Sequence, residues 1–190
     1  MTEVGGSSIA VARPVGAPAY VYGASTAWMK FPVGILPATF TFVYVARYNG
    51  ATRNRIFQGV DTNTVLGFYF QGRMLLYNCG SSLTPEPNLP NSDWIIVSVR
   101  SDSMRFGGRD YTFNRNNGCT DTAKLAINAG LDVFSDFAIQ SVLVYNVKLS
   151  DADVQRVEAW LFSQQPAFTP ANIQVRPQHK AARLTAYENI

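Results

Sequence analysis

"DFAIQSVLVYNVKLSDADVQRVEAWL", residues 136–161, changes its hydrophobic period midway, and that change sets the fold class. As far as Tyr145 the apolar residues alternate. Phe137, Ile139, Leu143 and Tyr145 read as one face, interrupted by Ser141, with Ala138, Gln140, Val142 and Val144 on the other, which is the period of a strand. From Asp151 onward Val154, Val157 and Leu161 recur at helical spacing, with Gln155, Arg156 and Glu158 around them. Ser150 reads as the N-cap of this helix, and Asp151 and Asp153 sit in the first turn, where the helix dipole favours negative charge. Leu149 before the cap and Val154 at the fourth helical position form a hydrophobic staple. A strand therefore feeds one short amphipathic helix, which should lie against the sheet.

Outward from this segment the chain reads as β structure. "TFTFVYVAR" (39–47) sets Phe40, Phe42, Tyr44 and Ala46 against Thr41, Val43, Val45 and Arg47. Both sides are mostly apolar, so it should be a central strand covered on both faces. "NRIFQG", "VLGFYF" and "RMLLYN" follow at short spacing. "DWIIVSVR" (93–100) places Ile95, Val97 and Val99 on one face and Ser98 and Arg100 on the other, and "FGGRD" (106–110) marks a turn between two strands. "TFNRNNGCTDTAK" (112–124) reads as a loop, and "KLAIN" resumes strand. Short strands divided by turn signals predict an all-β, two-sheet antiparallel sandwich with one short C-terminal amphipathic helix and extended termini. Residues 1–37, rich in Gly, Ala, Pro and Ser around "AYVYG" and Trp28, read as an extended arm contributing one or two strands. The sandwich is expected over 38–163. Residues 164–190, broken by Pro166, Pro170 and Pro177, read as an extended tail with isolated anchors at Phe168, Ile173, Val175, Leu184 and Tyr187.

The strand-connector-helix ending resembles the closing segment of laminin G-like modules of the concanavalin A-like lectin/glucanase superfamily. Val144, Tyr145, Asn146, Leu149, Ser150, Asp151, Val157, Glu158 and Leu161 carry that likeness. More loosely, "TFTFVYVAR" is similar to the family's early central strand and "DWIIVSVRSD" to its Trp-led middle strand and hairpin. The resemblance spans about Thr39 to Leu161 and implies a jelly-roll sandwich, with the arm and tail outside it.

Composition narrows the function. The net charge is +3, of which Arg176, Lys180 and Arg183 against Glu188 leave +2 in the tail. No basic patch or stripe suggests nucleic acid. The first residues, "MTEVGGSSIAVARPVG", lack the basic and apolar regions of a secretory signal, and no apolar run reaches the ~20 residues of a membrane span. The expectation is therefore cytoplasmic synthesis without membrane insertion. Cys79 and Cys119 read as separate reduced core thiols, with a disulfide as the alternative for a protein outside the cell, and with His179 alone they make no zinc site.

Catalysis finds no support either. Glu3, Glu86, Glu158 and Glu188 are isolated from one another, so the paired carboxylates of a glycoside hydrolase are missing. Asp132 and Asp136 flank the turn before the long strand and read as solvated turn aspartates rather than calcium ligands. No Ser/His/Asp set and no phosphate-cradling loop is present, so no cofactor, no metal and no enzymatic activity are expected. Sugar binding needs aromatic platforms beside polar groups, and two candidate groups offer them: Tyr48 with Asn49 and Arg53, and Tyr69 with Arg109 and Tyr111. Two roles follow. The first is a structural subunit laced by arm and tail to the other protein subunits of a larger assembly, a virus particle being one example. The alternative is a carbohydrate-binding, lectin-like module.

Overall fold

The computed structural model describes residues 3–78, 81–83, 93–112, 124–130 and 133–165. Among them the chain forms two seven-stranded antiparallel sheets, one α-helix and a single 3-10 turn at Phe70–Gly72. In chain order the strands are β1 (Glu3–Gly6), β2 (Ala10–Ala12), β3 (Tyr20–Gly23), β4 (Ala27–Lys30), β5 (Thr41–Tyr48), β6 (Phe57–Gly59) and β7 (Val65–Phe68). They continue with β8 (Met74–Asn78), β9 (Ser81–Leu83), β10 (Ile95–Arg100), β11 (Ser103–Phe106), β12 (Arg109–Thr112), β13 (Leu125–Ile127) and β14 (Phe137–Tyr145), and helix α1 spans Asp151–Ser163. One sheet runs β1-β4-β13-β6-β7-β8-β9, the other β12-β11-β10-β5-β14-β3-β2.

The expected central strand is β5, paired with β10 on one side and β14 on the other. Its inward residues Phe42, Tyr44, Ala46 and Tyr48 join Val97, Val99, Phe137 and Ile139 against Phe57, Leu66, Phe68, Met74, Leu76, Leu125 and Ile127 of the facing sheet. The core is aromatic at its centre, with the Tyr44 and Phe57 ring centroids 4.5 Å apart. Tyr44 is fully buried, and burial pushes its hydroxyl pKa well up, so it stays protonated and donates to the Leu66 carbonyl at 2.8 Å. Gly67, at φ +108°, makes this approach feasible, because a Cβ there would run into the Tyr44 hydroxyl.

Three expectations change in the folded chain. Residues 3–30 supply four strands, two to each sheet, where an arm with one or two strands was expected. The long strand also does not keep one parity. Its register against β5 shifts between Ile139 and Ser141, so Gln140 is an extra residue at a β-bulge. Phe137 and Ile139 consequently face the inter-sheet core, and so do Val142 and Val144, whereas Leu143 and Tyr145 turn to the opposite face with Val43, Val45 and the helix. Third, Asp136 is not a solvated turn residue; its two carboxylate oxygens are taken by backbone N–H groups, as set out below. Asp132, Cys79, Cys119, His179 and the tail anchors Phe168, Ile173, Val175, Leu184 and Tyr187 lie outside the described residues. No helix among the described residues is long and apolar enough to cross a membrane.

Helix α1 begins as its sequence requires. The Ser150 hydroxyl oxygen accepts from the Asp153 N–H at 3.1 Å, and Val154 and Leu161 are buried. It packs on the outer face of the second sheet, against Val43, Val45 and Leu143. A polar network fastens its flank: the buried Arg100 donates to Asp151, to Asp110 at 3.3 Å and to the Ser103 hydroxyl at 2.9 Å. Arg105 donates to Glu158 at 2.9 Å, and the Ser98 hydroxyl donates to the same carboxylate at 2.7 Å.

The hydrogen bond and charge of Arg100 hold the Asp151 carboxyl below its ordinary value of 3.8. A carboxylate whose folded pKa is depressed stabilises the fold above the unfolded value and loses that contribution as pH falls through the folded one. Glu158 works in the opposite sense: burial raises it from 4.5, outweighing the Ser98 and Arg105 hydrogen bonds, so ionisation there costs stability as pH rises. Asp151→Asn should therefore flatten the decline of the melting temperature on acidification below about pH 4 while leaving the Glu158 limb in place. Melting curves collected across the acid range check this, and parallel declines for parent and variant would contradict it.

Candidate functional site

Two loops meet at the pole of the sandwich where β5 ends and β14 begins. One is the segment 49–56 after β5; the other is the turn 69–73 between β7 and β8. They are joined by a backbone hydrogen bond from the Gln71 N–H to the Arg53 carbonyl at 2.8 Å. From below, the Tyr48 hydroxyl lies 2.7 Å from the Asn54 carbonyl and 2.5 Å from the Tyr69 carbonyl, so one buried phenol ties both loops. The turn closes on itself through Tyr69 N–H to the Arg73 carbonyl at 2.9 Å. Gln71 adopts φ 54° and ψ 42°, a left-handed conformation uncommon for a residue with a side chain.

The first loop is pinned from the side as well. Asp136 accepts from the Thr52 N–H and the Ser25 N–H, each at 2.9 Å, and exchanges backbone hydrogen bonds with Asn49 and Thr52. Gly50 lies against that carboxylate, where any Cβ would collide with it. Asn54 donates through its backbone to the Ser135 hydroxyl at 2.6 Å and through its side chain to the Phe134 carbonyl at 3.0 Å.

Between the loops lies an open depression of about 430 Å3, lined by Ala51, Thr52, Arg53, Asn54, Phe70 and Gln71. Phe70 is 49% exposed, a large apolar ring presented to solvent beside a guanidinium and two amide side chains. A flat ring offers a stacking face, and the polar groups around it supply donors and acceptors in fixed directions. This arrangement has the chemistry to hold a polar ligand with an apolar face. It provides no carboxylate pair from its own lining residues.

The residues singled out from the sequence are divided by the fold. Arg53 lines the depression. Tyr48 lies beneath it, 2% exposed, as a support for the loops. Asn49 faces the flank, its side-chain oxygen accepting from Arg47 at 3.1 Å. Tyr69 belongs to the turn, with its ring 5.7 Å from the Arg55 guanidinium. Arg109 and Tyr111 are elsewhere: β12 is an edge strand, Tyr111 stacks on Phe106 at 5.0 Å, and through Met104 and Val99 its row leads to Phe42. Phe42 lies six residues before Tyr48 on β5, roughly 20 Å at strand rise. Sequence reasoning missed Phe70 and Gln71. A signal was present in "FYFQGR" (68–73): after an inward Phe68, a Phe two positions later ahead of a Gln-Gly turn has left the strand.

No protein-family model matches the chain. No curated protein matches it either. Solved structures do. Domain 4 of AbnA, an extracellular GH43 arabinanase from Geobacillus stearothermophilus, solved in complex with arabinotriose, superposes with a TM-score of 0.63 at 12% identity, covering 82% of this chain and 87% of that one. Trypanosoma rangeli sialidase in complex with sialic acid gives 0.61 at 12% identity, over 87% of this chain and 30% of the sialidase. The binding domain of botulinum neurotoxin DC in complex with SialylT gives 0.58 at 11% identity, over 87% of this chain and 46% of that one. In the sialidase and the neurotoxin binding domain this chain thus corresponds to less than half of the solved chain. At such identities the shared property is the fold, a jelly-roll-like β-sandwich.

Proposed function

We propose that this chain is a non-catalytic carbohydrate-binding module of the concanavalin A-like, laminin G-like type, and that it takes an oligosaccharide in the depression between loops 49–56 and 69–73. The observation that carries this reading is the exposed Phe70 ring set beside Arg53, Asn54 and Gln71 on loops braced by Tyr48 and Asp136. A braced site loses little conformational entropy when a ligand arrives, so a modest contact area suffices for recognition. The sandwich likeness to domains solved with bound glycans supports the same reading. The subunit role expected from the arm and tail has less to rest on, because residues 3–30 are built into the sheets and the tail anchors fall outside the described residues.

Titration against a panel of neutral and acidic oligosaccharides tests the proposal. Phe70→Ala should weaken the best binder about tenfold, the ~1.4 kcal/mol scale of a lost stacking face, without changing the melting temperature. Saturable binding that is indifferent to Phe70 would move the site elsewhere, and no binding across the panel would remove the function. The same reading predicts no turnover of arabinan, β-glucan or sialosides. Reducing-end release above a heat-killed control, abolished by substitution of one Asp or Glu, would overturn that part.

A further inference from the structure

A second group of residues on the outer face of the other sheet has the composition of a ligand site and is separate from the depression. Cross-strand pairing sets Ala10, Tyr22, Ala138 and Arg47 side by side in one row across β2, β3, β14 and β5. Side chains in such a row share a face. Tyr20, two residues from Tyr22, lies on that face too, with ring centroids 5.9 Å apart, and Trp94 meets Tyr20 edge-on at 5.2 Å. The Arg47 guanidinium sits against both rings, 4.9 Å from the Trp94 centroid and 5.6 Å from that of Tyr20. Helix α1 covers the other part of this face through Val43, Val45 and Leu161. Tyr20, Tyr22, Arg47 and Trp94 are each left partly accessible, and Ala10 and Ala138 are too short to cover the ring of Tyr22 between them.

The charge of Arg47 is unspent. A guanidinium has five N–H donors. Among the described residues Arg47 makes one side-chain hydrogen bond, from Nη2 to Asn49 Oδ1 at 3.1 Å, and no ion pair. Its Nε is buried and has no hydrogen-bond partner among the described residues. By contrast, Arg100 and Arg105 at the far end of the same sheet are each paired with two carboxylates. Aromatic rings compensate part of the desolvation of a cation without pairing its in-plane N–H donors. A carboxylate matches those donors in geometry and charge, and the rings beside it match the C–H face of a pyranose.

We infer that Tyr20, Tyr22, Trp94, Arg47 and Asn49 form a second site, selective for a carboxylate-bearing sugar. Arg47 takes the carboxylate through its Nη donors, Tyr20 and Tyr22 support the ring, and Asn49 orients the guanidinium. This site stands apart from the one lined by Phe70, so either can fail without the other.

The test uses the full chain with sialyllactose, tri-galacturonate and neutral lactose, followed by the NMR shift of the Trp94 indole N–H. At least one acidic probe should shift it saturably and lactose should not. Arg47→Met keeps the aliphatic stem between the rings and should weaken that response at least tenfold, whereas Phe70→Ala should leave it unchanged. Rising salt should weaken the acidic response, as screening of a charge contact requires. Silence of Trp94 toward both acidic probes would overturn the proposal, as would an equal response to lactose or full binding by Arg47→Met in a protein that melts like the parent. Nuclear Overhauser contacts between Trp94 and Phe168 in the free chain would instead assign the platform to the protein's own tail, and would also overturn it.

Discussion

Asn128→Ala is expected to destabilise the fold by about 4 kcal/mol, the sum of two or three buried polar groups left unpaired and a residue forced into a left-handed conformation. Asn128 is 3% exposed and follows the last residue of β13. Its amide nitrogen donates to the Ser135 carbonyl at 2.7 Å and to the Ala27 carbonyl at 3.0 Å, and its amide oxygen accepts from the Ser135 N–H at 2.9 Å. One side chain thus ties β4 of the first sheet to the segment leading into β14 of the second. Its φ of 50° lies where Asn is tolerated and Ala is strained. Comparing Asn128→Ala with Asn128→Gly separates the two effects: glycine relieves the backbone strain, so it should be less harmful by about 1 kcal/mol while losing the same hydrogen bonds. For a chain of this length the alanine variant should melt roughly 10 °C lower. A variant within about 1 kcal/mol of the parent in denaturant titration would show that water replaces those bonds without cost.

Asp136→Ala should cost about 2–3 kcal/mol, because it strips the acceptors from the Ser25 and Thr52 N–H groups. The effect should not stop at stability. The Thr52 bond holds the loop that contributes Ala51, Thr52, Arg53 and Asn54 to the depression, so amide exchange at Thr52 should accelerate and glycan affinity should fall with it. Asp136→Asn retains one carbonyl oxygen and turns an NH2 toward the other donor, so it should be intermediate in both respects. Exchange rates at Ser25 and Thr52, read beside binding in the same three proteins, check the coupling. Unchanged exchange at Thr52 in the alanine variant would mean that the loop is held by its backbone bonds alone.

Both variants bear on what was legible from the residues in order. Local rules sufficed wherever the cause lies within a few residues. The helix cap at Ser150 is one case, since hydroxyl and N–H are three residues apart. The two-glycine turn between β11 and β12 is another, with Gly107 and Gly108 at φ 56° and 73°, and the burial of β5 on both faces follows from its own composition. Arg53 was legible as a polar residue beside an aromatic strand end. The exposure of Phe70 was not read, although "FYFQGR" carried a local hint of it.

Pairing across long separations decided the rest. The bulge at Gln140 cannot be read from alternation, because an extra residue in a strand is defined only by the partner that skips it, here β5. The parity assigned to Leu143 and Tyr145 from sequence was wrong for that reason alone. Asp136 reads as a turn aspartate until Ser25 and Thr52, 111 and 84 residues away, bring their N–H groups to it. The four strands of residues 3–30 are only three or four residues long, and β1 and β2 hold one large apolar side chain each, Val4 and Val11; pairing with β13, β14 and one another makes them strands. Arg47 is the last instance. In sequence it ends a strand as an ordinary surface cation, and only the approach of Tyr20 and Trp94 from 27 and 47 residues away turns it into a charge held between rings. Capping and alternation are set by sterics and hydrogen bonds over a few residues, whereas strand partners are chosen by burial summed over the whole chain, a quantity no local window contains.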